Sequence, residues 1–155
     1  MIAGPADVGV RASDAVDAGS HATLRARVLL ADDHQLMLDR LSALLAGEFS
    51  VVGTVLDGYA LVHAAGALRP DVLVVDISMP RMNGLEAAAR IRRGGSTVPV
   101  VCLTAHEEPE FLAAALDAGA LGYVTKASVA HDLVPAIRAA LAGQQFISAS
   151  MKTAD

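Results

Sequence analysis

Two runs of the sequence, Val72-Leu73-Val74-Val75 and Val98-Pro99-Val100-Val101, are apolar at every position instead of every second one. A strand with one face in water alternates, because successive side chains point to opposite sides. A strand that is apolar throughout has both faces covered, as in a parallel sheet between two helix layers. From Arg25 onward the chain repeats this theme. Short β-branched runs at Val28–Ala31, Val51–Leu56, Val72–Asp76, Val98–Leu103 and Gly122–Thr125 are each followed by a helix-like stretch. Those stretches are His34–Ala46, Tyr59–Leu68, Leu85–Arg93, Glu108–Ala118 and Ala130–Ala142. Gly47, Gly94-Gly95, Gly119 and Gly143 stand where helices should stop, and Asp33, Asp57 and Asn83 where they could be capped. Five strands alternating with five helices predict a doubly wound α/β fold. Pro135 falls inside the last helical pattern, so a bend or a late helix start is expected there.

The remaining residues set the boundaries. Residues 1–24 are Ala, Gly, Asp and Ser with scattered valines and no sustained period, which reads as a mobile leader. The folded domain is expected over 25–148, with a short tail over 149–155. At 54% hydrophobic and 19% charged residues, the chain is globular in composition, and 155 residues suffice for one buried core. The formal charge is −5 with no Lys/Arg cluster, which argues against direct contact with nucleic acid. The one cysteine, Cys102, lies within an apolar run and reads as a buried strand thiol. No apolar run has signal-peptide or membrane-span length, so no membrane contact and a cytoplasmic protein are expected.

In an open parallel sheet, ligands gather at the carboxyl ends of the strands. Asp32 and Asp33 follow the first run; the third ends at Asp76, followed by Ser78-Met79-Pro80; the fourth ends at Thr104 and the fifth at Lys126. Strand two ends at Asp57-Gly58, a helix cap set apart from this group. Three carboxylates, a hydroxyl and an ammonium thus converge on one edge. Like charges so close raise one another's pKa unless a cation neutralises them. A carboxylate-rich set lacking Cys or paired His suits Mg²⁺ better than Zn²⁺ and leaves coordination positions for phosphoryl oxygens. Lys126 can balance a phosphorylated carboxylate and Thr104 can donate to it, so the group reads as phosphoryl transfer to a carboxylate.

Leu29-Leu30-Ala31-Asp32-Asp33-His34, Val74-Val75-Asp76-Ile77-Ser78-Met79-Pro80 with Asn83-Gly84, Leu103-Thr104-Ala105 and Gly122-Tyr123-Val124-Thr125-Lys126 together resemble a response-regulator receiver domain. The Asp-Asp-His start and the Gly-Tyr-X-X-Lys end are similar to the NarL/FixJ branch. The resemblance covers about Arg27 to Ser148 and implies a CheY-like, flavodoxin-like five-stranded parallel sheet of order 2-1-3-4-5. It implies Asp76 as the phosphoacceptor. Mg²⁺ would be held directly by Asp33, through water by Asp32, and by Asp76 and the Ser78 carbonyl. Lys126 would pair with the phosphoryl group, and Thr104 would move toward it. Tyr123 would be the aromatic that turns inward in response. The implied partners are a sensor histidine kinase and, on activation, a second copy of the chain. Ala127 follows the lysine where many receivers have proline, which puts the family's usual cis peptide in doubt. Ser78 and His106 occupy variable positions that tune phosphate lifetime in the family.

Each residue alone has a plainer reading. Asp32 or Asp33 by itself would be a helix cap, Thr104 the start of a turn, Lys126 a solvated lysine and Tyr123 core filler. The five histidines lack metal spacing and read as surface or structural groups. Two other function classes use similar parts. A phosphatase of the haloacid dehalogenase type would need a second acid two residues after the nucleophile, where Ser78 stands. A degenerate receiver that only binds partners would have lost pocket residues, and all are present. NarL/FixJ-type proteins usually carry a helix-turn-helix after the receiver, and the sequence to Asp155 leaves no room for one. A separate output segment and a receiver acting alone are equally open.

Overall fold

The structure, a computed structural model, describes residues 24–152. The expected leader lies outside these residues apart from Leu24, as do residues 153–155 of the expected tail. Strand and helix alternate: β1 (Arg27–Ala31), α1 (Gln35–Leu45), β2 (Ser50–Val55), α2 (Gly58–Leu68), β3 (Val72–Asp76), α3 (Gly84–Arg93), β4 (Val100–Thr104), α4 (Pro109–Asp117), β5 (Gly122–Thr125) and α5 (Val129–Leu141). A single 3-10 turn, Lys126–Ser128, joins β5 to α5. Two further elements, β6 (Phe146–Ile147) and α6 (Ala149–Lys152), end the described chain.

All neighbouring strands pair in parallel, in the order β2-β1-β3-β4-β5-β6. The expected order 2-1-3-4-5 is therefore the core of a six-stranded sheet. The sixth strand was not anticipated, because two residues after Gly143 are too short to carry a period. Every residue of β3 and β4 is buried, as their unbroken apolar runs require. β4 begins at Val100 and not at Val98. Alternate residues feed two cores. Leu29, Ala31, Leu73 and Val75 pack toward α2, α3 and α4, while Val28, Leu30, Val72 and Val74 face α1 and α5.

The helix ends follow local chemistry. Asp57 accepts from the Ala60 N–H at 2.8 Å, and Asn83 with Glu86 forms a reciprocal capping box on α3. Asp33 does not cap. The first residue before α1 is His34, whose side chain makes no capping bond. α5 starts at Val129 and runs through Pro135, so the late start does not occur. Pro135 cannot donate to the carbonyl of His131, and both residues are exposed, so water can serve that carbonyl.

Two glycines set the loops above the sheet edge. A Cβ on Gly84 would lie 2.2 Å from the Asp76 carbonyl oxygen and 2.6 Å from a Val75 methyl. One on Gly58 would lie 2.2 Å from the Met82 carbonyl oxygen. The start of α3 is thus pressed against the last residue of β3. Gly84→Ala should cost about 1–3 kcal/mol in chemical denaturation, through enforced backbone movement. Gly66→Ala, where nothing lies within 4 Å of the new Cβ, should instead stabilise α2 by about 0.5–1 kcal/mol. Equal effects of opposite expectation would show that α3 does not rest on Asp76.

Candidate functional site

The register carries the pocket residues to one level. β1 and β3 are neighbours, while β2 lies outside β1 and β4 outside β3, so the chain order reverses between them. Asp76 pairs with Leu103, one residue before Thr104, and Thr104 pairs with Thr125, one before Lys126. The carboxyl ends of β1, β3, β4 and β5 therefore deliver Asp32, Asp76, Thr104 and Lys126 side by side.

Asp32 and Asp76 are almost wholly withdrawn from water, at 0% and 2% exposure. Lys126 Nζ lies 3.0 Å from Asp76 Oδ2 and 3.0 Å from Asp32 Oδ2, bridging the two carboxylates. The Ser78 N–H donates to Asp76 Oδ1 at 3.2 Å, and the His34 N–H donates to Asp32 Oδ1 at 2.9 Å. Burial pushes the Asp76 carboxyl up to about 6; the Lys126 hydrogen bond pulls it down and the Asp32 charge adds to the rise. Burial alone would lower the Lys126 ammonium, but the facing Asp32 and Asp76 carboxylates outweigh it and hold the group above its ordinary value.

Asp32, Asp33, His34 and Asp76 each offer a ligand atom, all within 4.8 Å of one another. Asp33 Oδ1 is buried without a hydrogen-bond donor, and Asp32 Oδ2 has only the ammonium contact. Buried carboxylate oxygens short of donors fit a hard cation. His34 borders the acid group, its Nδ1 standing 3.1 Å from Asp33 Oδ1 and 3.3 Å from Asp32 Oδ1, while its side chain is 71% exposed, as expected of a surface histidine.

Thr104 is buried, and its Oγ1 accepts from the His106 N–H at 2.9 Å. The His106 ring stacks on Phe111 with centroids 4.5 Å apart, tying the β4–α4 loop to α4. Tyr123 is fully buried, and burial raises its phenol. Its ring thus already occupies an inward position. Ser78 is exposed and reaches the group through its backbone. Concavities lie at the opposite end of the strands, one of about 460 Å³ lined by Arg92, Thr97, Leu121 and Leu141 among others. It holds no carboxylate, and no acid or histidine stands among its lining to activate its Ser96 and Thr97 hydroxyls, in contrast to the acidic edge. Among the described residues, no helix is long and apolar enough to cross a membrane.

Residues 28–138 match the family model of the response regulator receiver domain. Response regulator GacA of Pseudomonas viridiflava is 40% identical over 124 residues, 79% of this chain and 58% of that protein. The chain therefore spans a little over half the length of this curated relative. A LuxR-family two-component response regulator from Aurantimonas sp. SI85-9A1 superposes with TM-score 0.79 at 32% identity, covering 83% of this chain and 93% of that one. The isolated receiver domain of RcsB from Salmonella enterica serovar Typhimurium, solved with the phosphomimetic BeF3−, gives TM-score 0.76 at 30% identity, covering 83% and 96%. RcsB is also known as two dimers bound to two parallel DNAs, in a chain that this one covers to 66%. That neighbour weakens the expectation that this protein makes no contact with DNA. The same matches remove the phosphatase reading. The match of the family model to residues 28–138, together with relatives at 40% and 32% identity, shows that the chain belongs to the response-regulator receiver domains of two-component systems.

Proposed function

We propose that Asp76 is the phosphoacceptor, taking its phosphoryl group from the phosphohistidine of a sensor histidine kinase in the cytoplasm. The observation that carries this reading is the buried Asp76 carboxylate at the end of β3, gripped by Lys126 at 3.0 Å and lying within 4.8 Å of the Asp32 and Asp33 ligand atoms. A carboxylate oxygen attacks phosphorus as the P–N bond breaks, and the leaving imidazole keeps the electron pair and is then protonated. Asp33, Asp76, the Ser78 carbonyl and, through water, Asp32 would hold Mg²⁺, which when bound would supply positive charge beside the transferred oxygens. Lys126 offsets charge from the other side, having already shed much of its water between two carboxylates. The kinase does the first half of the chemistry, and this chain takes part in its own phosphotransfer and dephosphorylation without a separate substrate.

The new dianion can then accept a hydrogen bond from the Thr104 hydroxyl, whose oxygen is itself tethered to the loop by the His106 N–H, so that a shift of Thr104 is passed on. Moving Thr104 disturbs the His106–Phe111 stack and so α4, which buries only Ala115 through its own length. A helix anchored so lightly can take a second packing at low cost. Tyr123, with Thr104, forms the switch, and the side carrying α4 and α5, with β6 at its edge, is the face offered to a second copy or an output segment.

Three outcomes test this. Acetyl phosphate with Mg²⁺ should add one phosphate to the wild type and none to Asp76→Asn by intact mass; equal labelling would remove Asp76 as acceptor. Asp33→Ala should weaken Mg²⁺ binding by about tenfold or more in calorimetry, since loss of outer partners alone can cost that much, whereas Asp57→Ala should change little. The third concerns stability. An acid whose folded pKa is raised binds its proton more tightly in the native state, so its stabilising share is present at low pH and lost as pH rises from about 4 through about 6. In chelator, Asp76→Asn should therefore be more stable than wild type by roughly 1–3 kcal/mol at pH 7.5, and the gain should shrink toward pH 4.5. A gain independent of pH would show that the buried charge is not its cause.

A further inference from the structure

β5 ends at Thr125, and the next residue is Lys126. On the β6 side, Tyr123 pairs with Ile147, and the Ser148 N–H closes that ladder on the Tyr123 carbonyl at 2.9 Å. β6 stops there, so the Thr125 N–H is met by a side chain and not by a strand carbonyl. It donates to Ser148 Oγ at 3.2 Å. The same hydroxyl donates onward to Asp132 Oδ2, in the first turn of α5, at 2.8 Å. Thr125 Oγ1 also donates to Ser128 Oγ at 3.1 Å, bracing the 3-10 turn that begins with Lys126. Ser148 is fully buried, and Met151, three residues on, is 4% exposed in the same core as Tyr123.

We propose that Ser148 is a positioning residue for phosphoryl transfer: its hydroxyl fixes the peptide that carries Lys126 and so makes the C-terminal strand part of the phosphorylation site. The inference rests on Lys126 acting on the phosphoryl group, as proposed above. A lysine stem has four rotatable bonds, and where its ammonium settles depends on where its own backbone is held. Two of the fixed points of that backbone are the Thr125 N–H and the turn after it, and Ser148 holds the first. Asp132 completes the arrangement by accepting the hydroxyl's hydrogen bond, which leaves an oxygen lone pair for the Thr125 N–H. The coupling runs both ways. A phosphoryl group that draws Lys126 toward it also strains the Ser148 bond, so the site and residues 146–152 report on each other.

The test is a double-substitution cycle read by beryllofluoride binding in the presence of Mg²⁺, with the full chain. Ser148→Ala should weaken beryllofluoride affinity by about two- to tenfold, the range one net hydrogen bond supports. In a Lys126→Ala background the same substitution should change affinity little, because the group it positions is gone. Ser148→Thr, which keeps the hydroxyl, should recover part of the loss. If Ser148→Ala fails to fold, Asp132→Ala removes the hydroxyl's acceptor and is read in the same two backgrounds. Equal losses with and without Lys126, or no loss at all, would reduce Ser148 to a strand-end bond and overturn the proposal. Failure of the wild type itself to bind beryllofluoride would overturn the phosphoacceptor reading and this inference with it.

Discussion

Three carboxylates at one edge of a sheet, with Asp32 and Asp76 almost sealed from water, are electrostatically unfavourable in isolation. What makes the arrangement tolerable is the Lys126 ammonium, 3.0 Å from Asp32 on one side and Asp76 on the other. The ammonium spans the end of β1 and the end of β3 from a residue that follows β5, crossing the level of β4. Any slip in register among these strands would move the cation away from at least one anion and leave a buried charge without its partner. The order of the sheet and the charge balance of the pocket therefore constrain one another. Asp76 still sits at a raised pKa despite the lysine, which means that the chain's own cation only partly compensates for burial.

The same partial compensation gives the site its direction of response. A pocket already neutral and fully bonded would gain little from a cation or a phosphoryl group. Here Asp33 Oδ1 is buried without a donor, and Asp32 Oδ2 relies on a single ammonium. The acid cluster is thus poised to accept positive charge. The Thr104 hydroxyl accepts from the His106 N–H and still carries a proton that it can offer to a new anion. On the far side of the His106 bond, the His106–Phe111 stack links a shift of Thr104 to a helix with one buried anchor.

Much of this was legible in the sequence. Unbroken apolar runs identify β3 and β4, since only a doubly covered strand has that pattern, and the residues after each run name the pocket. The parts that were not legible have physical reasons. Asp33 looked like a helix cap because position alone cannot say whether a carboxylate faces an N–H or a cluster of like charges. Pro135 suggested a bend or a late helix start, but α5 begins at Val129, and an exposed turn lets water serve the carbonyl that proline abandons. His34 was read as a surface group, and its exposed ring beside two aspartates follows from its place directly after them. β6 was not anticipated as a strand because Phe146 and Ile147 are too few to show a period and gain their meaning only from the strand beside them, and α6 falls in what was expected to be tail.

That short strand also decides where the domain can safely end. Without β6, the outer edge of β5 would expose the N–H and C=O groups of a four-residue strand whose side chains are all buried and mostly apolar. Such an edge is a template for strands of other molecules. With β6 in place, the edge on offer is only two residues long and runs straight into the turn of α6. A cut after α5 keeps α1 to α5, yet it takes Met151 out of the core beside Tyr123 and uncovers an adhesive margin. Gly143 is thus a boundary that satisfies the five-strand sheet and leaves its outer edge unprotected.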